Sequence, residues 1–313
     1  MRVRLLSAAK LICAVVLIAA LFHYVDWRQG LALLAKARPF PLVFALLLFP
    51  VGIVISAVKW GVLLRARGIH ISTSQLCRYY WVGFFANNFL PSTVGGDVSR
   101  VVLLRQKGKM AEAAASVLIE RLTGLAVLLG WAALALAMAG SRFADFRILG
   151  LLWGGVAAGL ALLVILFFSS EKIAGWLEGA LGVRENPVLT KIAALARAVA
   201  FYRREKFALL QAILLSIPFY VTPWLLQVLI FFAIDVPVSP WDVFLVAPLI
   251  NLAGIIPATP NALGLMEGAY VVFYGAIGVL PEGALAAALL SRFLVLIASL
   301  GGAGFWLTLR SDD

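Results

Sequence analysis

The chain has 313 residues, of which 63% are hydrophobic and 13% charged, with a mean hydropathy of +1.02. A soluble domain holds about 45–50% apolar residues, so this composition excludes a soluble globule and points to an all-α polytopic membrane protein. The net charge of +11 does not indicate nucleic acid, because the basic residues sit in short segments between apolar runs, where they orient spans and meet lipid head groups.

Crossing the hydrocarbon layer takes about 20 apolar residues in a helix. Runs at 8–25, 40–64, 112–138, 147–168, 207–234 and 284–308 satisfy this and give six predicted spans. Arg2, Arg4 and Lys10 ahead of the first run resemble the start of a signal peptide. No small-residue cleavage site precedes Asp26-Trp27-Arg28, so a retained span is expected.

Two further apolar segments are broken at their centres. In 75–105 the break is Asn87-Asn88-Phe89-Leu90-Pro91-Ser92-Thr93-Val94-Gly95-Gly96-Asp97; in 242–279 it is Ile256-Pro257-Ala258-Thr259-Pro260-Asn261-Ala262-Leu263-Gly264-Leu265-Met266-Glu267. A broken helix frees N–H and C=O groups that lipid cannot hydrogen-bond, so such backbone must be enclosed in protein or line a wet cavity. Both segments are predicted as re-entrant helix hairpins.

The order span, span, broken hairpin, span with arginine occurs in 1–140 and again in 141–313. Pro91 and Pro257 are 166 positions apart, and Arg121 and Arg292 are 171 apart. Three true spans per half is an odd number, so the second copy starts on the opposite side and the repeat is predicted to be inverted, as in many secondary transporters. With both termini cytoplasmic, the inner segments hold eighteen basic residues against five outside. That bias follows the positive-inside rule and suits a cytoplasmic (inner) membrane. The inner segment 169–206 carries Trp176, Leu177, Leu181, Ile192, Leu195 and Val199 at helical spacing among charges. It is predicted to form amphipathic helices on the head-group layer or a solvated linker with one packed face.

Three basic residues fall inside the spans. Lys59 is expected to snorkel to the inner face. Arg121 and Arg292 each follow a broken hairpin, and each requires an anion to offset a cost of several kcal/mol at membrane depth. A helix begun by Ser92 or Thr93, with Gly95 and Gly96 in its first turn, offers unshielded N–H groups to an anion such as phosphate. Asp97 then caps local N–H groups or pairs with Arg100 or Arg121, and an arginine supplies a forked donor for phosphate oxygens. Thr259, Asn261, Gly264 and Glu267 hold comparable places in the second copy, with Arg292 the expected partner of Glu267. Whether Asp97–Arg121 and Glu267–Arg292 clamp the hairpins or open for a ligand is left undecided by the residues alone. Glu120 fits either partner role or a proton-accepting one. Asn87 and Asn88 are expected to satisfy freed carbonyls, with lining of a polar cavity the alternative. Gly301-Gly302-Ala303-Gly304 permits close helix approach.

What the chain lacks also narrows its function. Cys13 and Cys77 have no metal spacing, His23 and His70 are far apart, and no Gly-x-x-x-x-Gly-Lys-Ser/Thr loop occurs. No catalytic residue, metal or cofactor is therefore predicted, and the chain is expected not to be an enzyme.

Leu90-Pro91-Ser92-x-x-Gly95-Gly96-Asp97-x-x-Arg100, then Glu120-Arg121-Leu122, then Ile256-Pro257-x-x-Pro260 leading to Gly264-x-x-Glu267-Gly268, and finally Arg292, resemble the flippase-like membrane domain of lysylphosphatidylglycerol synthases. Thr93 stands where that family usually has Gly, and Asn261-Ala262 where it has a Gly-Gly pair. The resemblance implies a membrane lipid as partner and a role in moving an anionic, aminoacylated or related polar lipid between leaflets. In full-length synthases a separate soluble domain performs aminoacyl transfer. This chain runs to Arg310-Ser311-Asp312-Asp313 just beyond its last span, so it is expected to translocate or bind a lipid made elsewhere. Two other readings stay open: a lipid-binding subunit serving a lipid-synthesising enzyme of a lipid or hopanoid pathway, and a small-anion or proton-coupled transporter. Under the resemblance the substrate-binding residues are Asn88, Ser92, Gly95, Gly96, Asp97, Arg100, Glu120, Arg121, Thr259, Asn261, Gly264, Glu267 and Arg292.

Overall fold

The computed structural model describes residues 12–13, 15–21, 23–89, 95–104, 110–139, 146–179, 187–256 and 258–311. Among them the architecture is all helical, with no strand. After helical residues within 12–24 come α1 (Trp27–Ala35), α2 (Pro39–Ala66), α3 (Thr73–Phe89), α4 (Gly95–Leu103), α5 (Met110–Ala139) and α6 (Phe146–Gly179). The second half continues with α7 (Pro187–Tyr202), α8 (Lys206–Ala233), α9 (Pro240–Ile255), α10 (Leu265–Gly275), α11 (Pro281–Ser299) and α12 (Gly301–Ser311).

Local sequence accounts for the starts. Asp26 accepts from the amides of Arg28 and Gln29 (3.0 and 3.3 Å) and opens α1. Ser239 accepts from the amide of Asp242 at 3.1 Å and opens α9, with Pro240 at the first helical position. Pro39 and Pro281 start α2 and α11, where a missing N–H costs nothing.

Pro39–Ala66, Met110–Ala139, Leu149–Trp176, Lys206–Ala233 and Pro281–Leu307 are long and apolar enough to cross a membrane. They correspond to five of the six predicted spans. The predicted span 8–25 lies partly outside the described residues. One boundary differs: α6 does not end near residue 168 but continues to Gly179. Charged side chains end an apolar run without ending a helix, and Glu171 in this extension pairs with Arg203 and Arg204 (3.5 and 3.4 Å). The predicted inner segment thus consists of the tail of α6 and helix α7, packed on each other. The fully buried Tyr202 of α7 donates its hydroxyl to the Leu63 carbonyl at 2.9 Å, and burial pushes its pKa up to about 12.

Both broken segments are pairs of packed short helices, α3 with α4 and α9 with α10. The nine residues of α4 rise about 14 Å and the eleven of α10 about 17 Å, well short of the ~30 Å hydrocarbon layer. α3 and α4 approach so closely that a Cβ on Gly96 would collide with the Gly83 carbonyl. Glycine is required there by contact rather than by backbone angle.

The first arm of each hairpin packs on the last helices of the other half, α3 on α11 and α12 and α9 on α5. The second arms pack on their own followers, α4 on α5 and α10 on α11. α2 and α8 form the broadest contact at the centre, α1 lies on α11 and α7 on α5. Exchanging the halves leaves this pattern unchanged for the elements described in both.

Gly302 of α12 abuts the Trp81 carbonyl and Phe85 Cβ of α3, whereas a Cβ on Gly304 meets nothing within 4 Å. Gly302→Ala is therefore expected to destabilise the detergent-solubilised protein by about 1–3 kcal/mol through overpacking. Gly304→Ala should be neutral or up to ~1 kcal/mol stabilising from helix propensity. Melting curves of the two variants check the contrast.

Candidate functional site

A cavity of about 420 Å³ lies where both hairpins meet the central helices. Its charged lining comes from α4 and α5 (Asp97, Arg100, Glu120, Arg121) and its apolar lining from α2 and α8 (Leu48, Phe49, Ile53, Phe219, Leu226). Uncharged polar groups complete it, Tyr80 and Asn87 from α3, Gln227 from α8, Asn251 from α9 and Ser291 from α11.

Arg100 is the centre of the charged part. It is 3% exposed, donating from Nη2 to Asp97 Oδ1 at 2.5 Å and from Nη1 to Glu120 Oε2 at 3.0 Å. Its guanidinium lies over the rings of Tyr80 (4.1 Å to the centroid) and Trp60 (5.0 Å). Tyr80 donates its hydroxyl to Glu120 Oε1, so both Glu120 oxygens accept a bond. Arg121 follows Glu120 on α5, where successive side chains diverge by about 100°, and so it faces elsewhere. It grips Asp97 through two bonds, Nε to Oδ2 at 3.0 Å and Nη2 to Oδ1 at 2.9 Å, yet its side chain is 57% exposed and lines the cavity. Nη1 of Arg121 has no partner among the described residues.

The second hairpin is arranged differently. Its turn passes through left-handed backbone at Asn261 (φ 49°), Ala262 (φ 50°) and Gly264 (φ 78°). These first two positions are the ones where the resembled family carries Gly-Gly, which gives that departure a backbone meaning. Arg292 donates from Nε to Glu267 Oε1 at 2.6 Å and toward the carbonyls of Asn261 and Ala262 (3.3 and 3.4 Å). Glu267 Oε2 accepts from the Gly264 amide at 2.7 Å. The pair thus holds the turn closed. The hairpin tips touch through Asn261 Nδ2 and Asn88 Oδ1 at 3.5 Å.

Of the predicted site residues, Gly96, Asp97, Arg100, Glu120 and Arg121 come together around the cavity. Asn88, Thr259, Asn261, Gly264, Glu267 and Arg292 gather instead at the hairpin tips, outside its lining. Ser92, with Thr93 and both Pro91 and Pro257, lies outside the described residues; Gly95 is the first described residue of α4.

Several expectations need correction. One amide at each helix start is already taken: the Gly96 amide donates to Asn87 Oδ1 at 2.8 Å, and the Gly264 amide to Glu267. Asn87 therefore serves an N–H across the hairpin rather than a freed carbonyl, whereas Asn88 does donate to the Phe84 carbonyl at 3.0 Å. Of the two roles expected of Asp97 it takes the second, pairing with both Arg100 and Arg121. Arg100, placed among the loop cations by its position in the chain, is buried because two carboxylates await it. Lys59 does not snorkel: it is 5% exposed, with Nζ donating to the Glu120 carbonyl (2.9 Å) and Ser216 Oγ (2.6 Å). Tyr80 and Ser216 were not anticipated at all. An apolar helix carrying a hydroxyl at a core-facing position was the one signal each offered.

Fold and cavity together define a polytopic helical membrane protein with a charged, part-apolar chamber between two interrupted helix pairs. The chain belongs to the family described as the lysylphosphatidylglycerol synthase TM region, whose model matches residues 7–302. It is similar to a UPF0104 membrane protein of Methanothermobacter thermautotrophicus, 25% identical over 309 residues that cover 92% of this chain and 90% of the relative. A UPF0104 membrane protein of Pyrococcus horikoshii is 23% identical over 116 residues, 36% of this chain and 35% of that one. No solved structure matches.

Three substitutions test the local physics. Glu120→Gln keeps the volume but removes one of the two charges on buried Arg100, and breaking such a pair costs about 3–5 kcal/mol. A loss of that order is expected in thermal or denaturant unfolding. At the other tip, Ala262→Gly should be tolerated, because left-handed backbone costs an L-residue ~1–2 kcal/mol. Ala262→Val should unfold at clearly lower temperature, being both β-branched at positive φ and buried.

Proposed function

We propose that this protein is a non-enzymatic lipid translocase of the cytoplasmic membrane, carrying an anionic or related polar lipid head through the central cavity while the acyl chains stay in apolar surroundings. The observation that carries this reading is Arg121: a guanidinium in the cavity lining with one nitrogen open and the others on a carboxylate that Arg100 also holds. Because Asp97 keeps Arg100 when Arg121 lets go, an incoming phosphate can take the Arg121 fork without stranding a buried charge. The exchange replaces one anion by another at the Arg121 guanidinium, so neither arginine is left unpaired. The apolar side chains from α2 and α8 suit an amphiphile better than a small hydrated anion.

The unchanged contact pattern on exchanging 1–140 with 141–313 supports an inverted repeat, and alternate exposure of its halves would move the head group from leaflet to leaflet. Arg292 and Glu267 act in this scheme as the lock of the second tip, and Asn88 with Asn261 as the joint between tips. The basic bias of the segments assigned to the inner side supports cytoplasmic termini.

Reconstitution in liposomes tests the proposal. Labelled phosphatidylglycerol should lose its leaflet asymmetry faster with protein than without. Arg121→Gln should slow this at least tenfold while the variant still folds, because Asp97 keeps its bond to Arg100. Acceleration of no anionic lipid, or an Arg121→Gln variant as fast as the parent, would overturn it. Tight lipid binding without exchange would favour the lipid-handing subunit. Uptake of inorganic phosphate into the vesicles would favour the small-anion transporter.

A further inference from the structure

Lys59 is absent from the mechanism above, yet it is the buried cation with the weakest compensation. Its ammonium, on α2, bonds only to neutral oxygens, the Glu120 carbonyl and the Ser216 hydroxyl. The groups facing it are Glu120 and Arg121 on α5 and Ser216 and Tyr220 on α8, and through Glu120 and Arg121 the cluster extends to Tyr80 on α3 and to Asp97 and Arg100 on α4. Tyr220 is placed beside it at Gly124, where an added Cβ would lie 3.5 Å from Lys59 Nζ and 3.6 Å from the Tyr220 hydroxyl.

Each oxygen of the two carboxylates in this cluster already accepts a bond from an arginine or from Tyr80. Glu120 accepts Tyr80 on one oxygen and Arg100 on the other, and Asp97 accepts both arginines. Three cations, Lys59, Arg100 and Arg121, therefore stand against two anions, Asp97 and Glu120. Glu267 and Arg292 neutralise each other and leave the count unchanged. A surplus positive charge inside a membrane protein is costly until an anion arrives. Lys59 sits directly behind the cavity lining, one helical turn after Ser56 and against Glu120, both of which belong to it.

We propose that Lys59 sets the net charge of the head group the cavity accepts, favouring a lipid with one net negative charge. The proposal rests on the translocase reading and deepens it. A monoanionic head restores neutrality, a zwitterionic head leaves the surplus in place, and a head with two net negative charges overshoots. Lys59 thus acts as a charge-selecting residue through its field and not by touching the lipid.

Competitive binding of labelled phosphatidylglycerol and phosphatidylethanolamine to the full chain in neutral detergent micelles tests this. The parent should prefer the monoanionic lipid by about tenfold or more, the scale of a unit charge acting across roughly 10 Å at an effective dielectric near 20. Lys59→Met should bring the ratio near unity and Lys59→Arg should keep it, a difference that a merely structural role for the side chain would not produce. If Lys59→Met preserves the preference, or the parent binds both lipids equally, the charge-selecting role is overturned while the translocase reading stands. If the parent binds neither lipid, the translocase reading itself falls. Should Lys59→Met fail to fold, the parent ratio and Lys59→Arg still decide, because a parent without preference, or an arginine variant that loses it, overturns the proposal.

Discussion

The structure depends on one constraint: a guanidinium cannot be buried at membrane depth unless anions are buried with it. Arg100 meets this with Asp97 three residues away on its own short helix and Glu120 on the next long one. The Arg100–Glu120 and Arg121–Asp97 pairs fix α4 against α5, and the crossing of Gly83 and Gly96 fixes α4 against α3. The Tyr80 and Trp60 rings close over the guanidinium. An interrupted helix that lipid could not tolerate is thereby held inside protein, with its freed Gly96 amide taken by Asn87. The cavity is the space left beside this arrangement.

The two arginines that sequence places in equivalent positions diverge in use. Arg292 distributes its donors over a carboxylate and two turn carbonyls, which suits a group whose task is to hold left-handed backbone in place. Arg121 holds one carboxylate that is already held by another residue. Redundant neutralisation of Asp97 is what separates a releasable pair from a structural one, and it is visible only when Arg100 is included in the count.

The sequence makes some of this legible for identifiable reasons. Span length and hydropathy locate α2, α5, α6, α8 and the α11–α12 pair, since the thickness of hydrocarbon is a strong filter. Pro, Gly and unpaired charge mark both breaks, because no lipid-facing helix carries them without cause. The carboxylate–arginine pairs across 24 and 25 residues follow from the need to neutralise Arg121 and Arg292. Less accessible is anything fixed by tertiary neighbours. Lys59 meets Ser216 across 157 positions, so its burial cannot be inferred from α2, where a lysine near a helix end ordinarily reaches for the head groups. Arg100 looks like a loop cation until Glu120 is placed beside it. The end of α6 was misjudged because hydropathy reports where a membrane stops and not where hydrogen bonding does.

The misplacements of Lys59 and Arg100 share a cause. Each concerns a charged group whose environment is decided by another helix, and each moves that group from surface to interior. In a chain with 13% charged residues, every such displacement alters the electrostatic balance of a low-dielectric interior, where a unit charge acts over longer distances than in water. Bringing Arg100 and Lys59 inside changes the chamber from two independent ion pairs into a connected cluster with more cations than anions. A protein built only for stability would gain by replacing Lys59 with an apolar residue, since a buried cation bonded to neutral oxygens costs more than it returns. Its presence beside the cavity is consistent with a site whose charge is completed by what enters it.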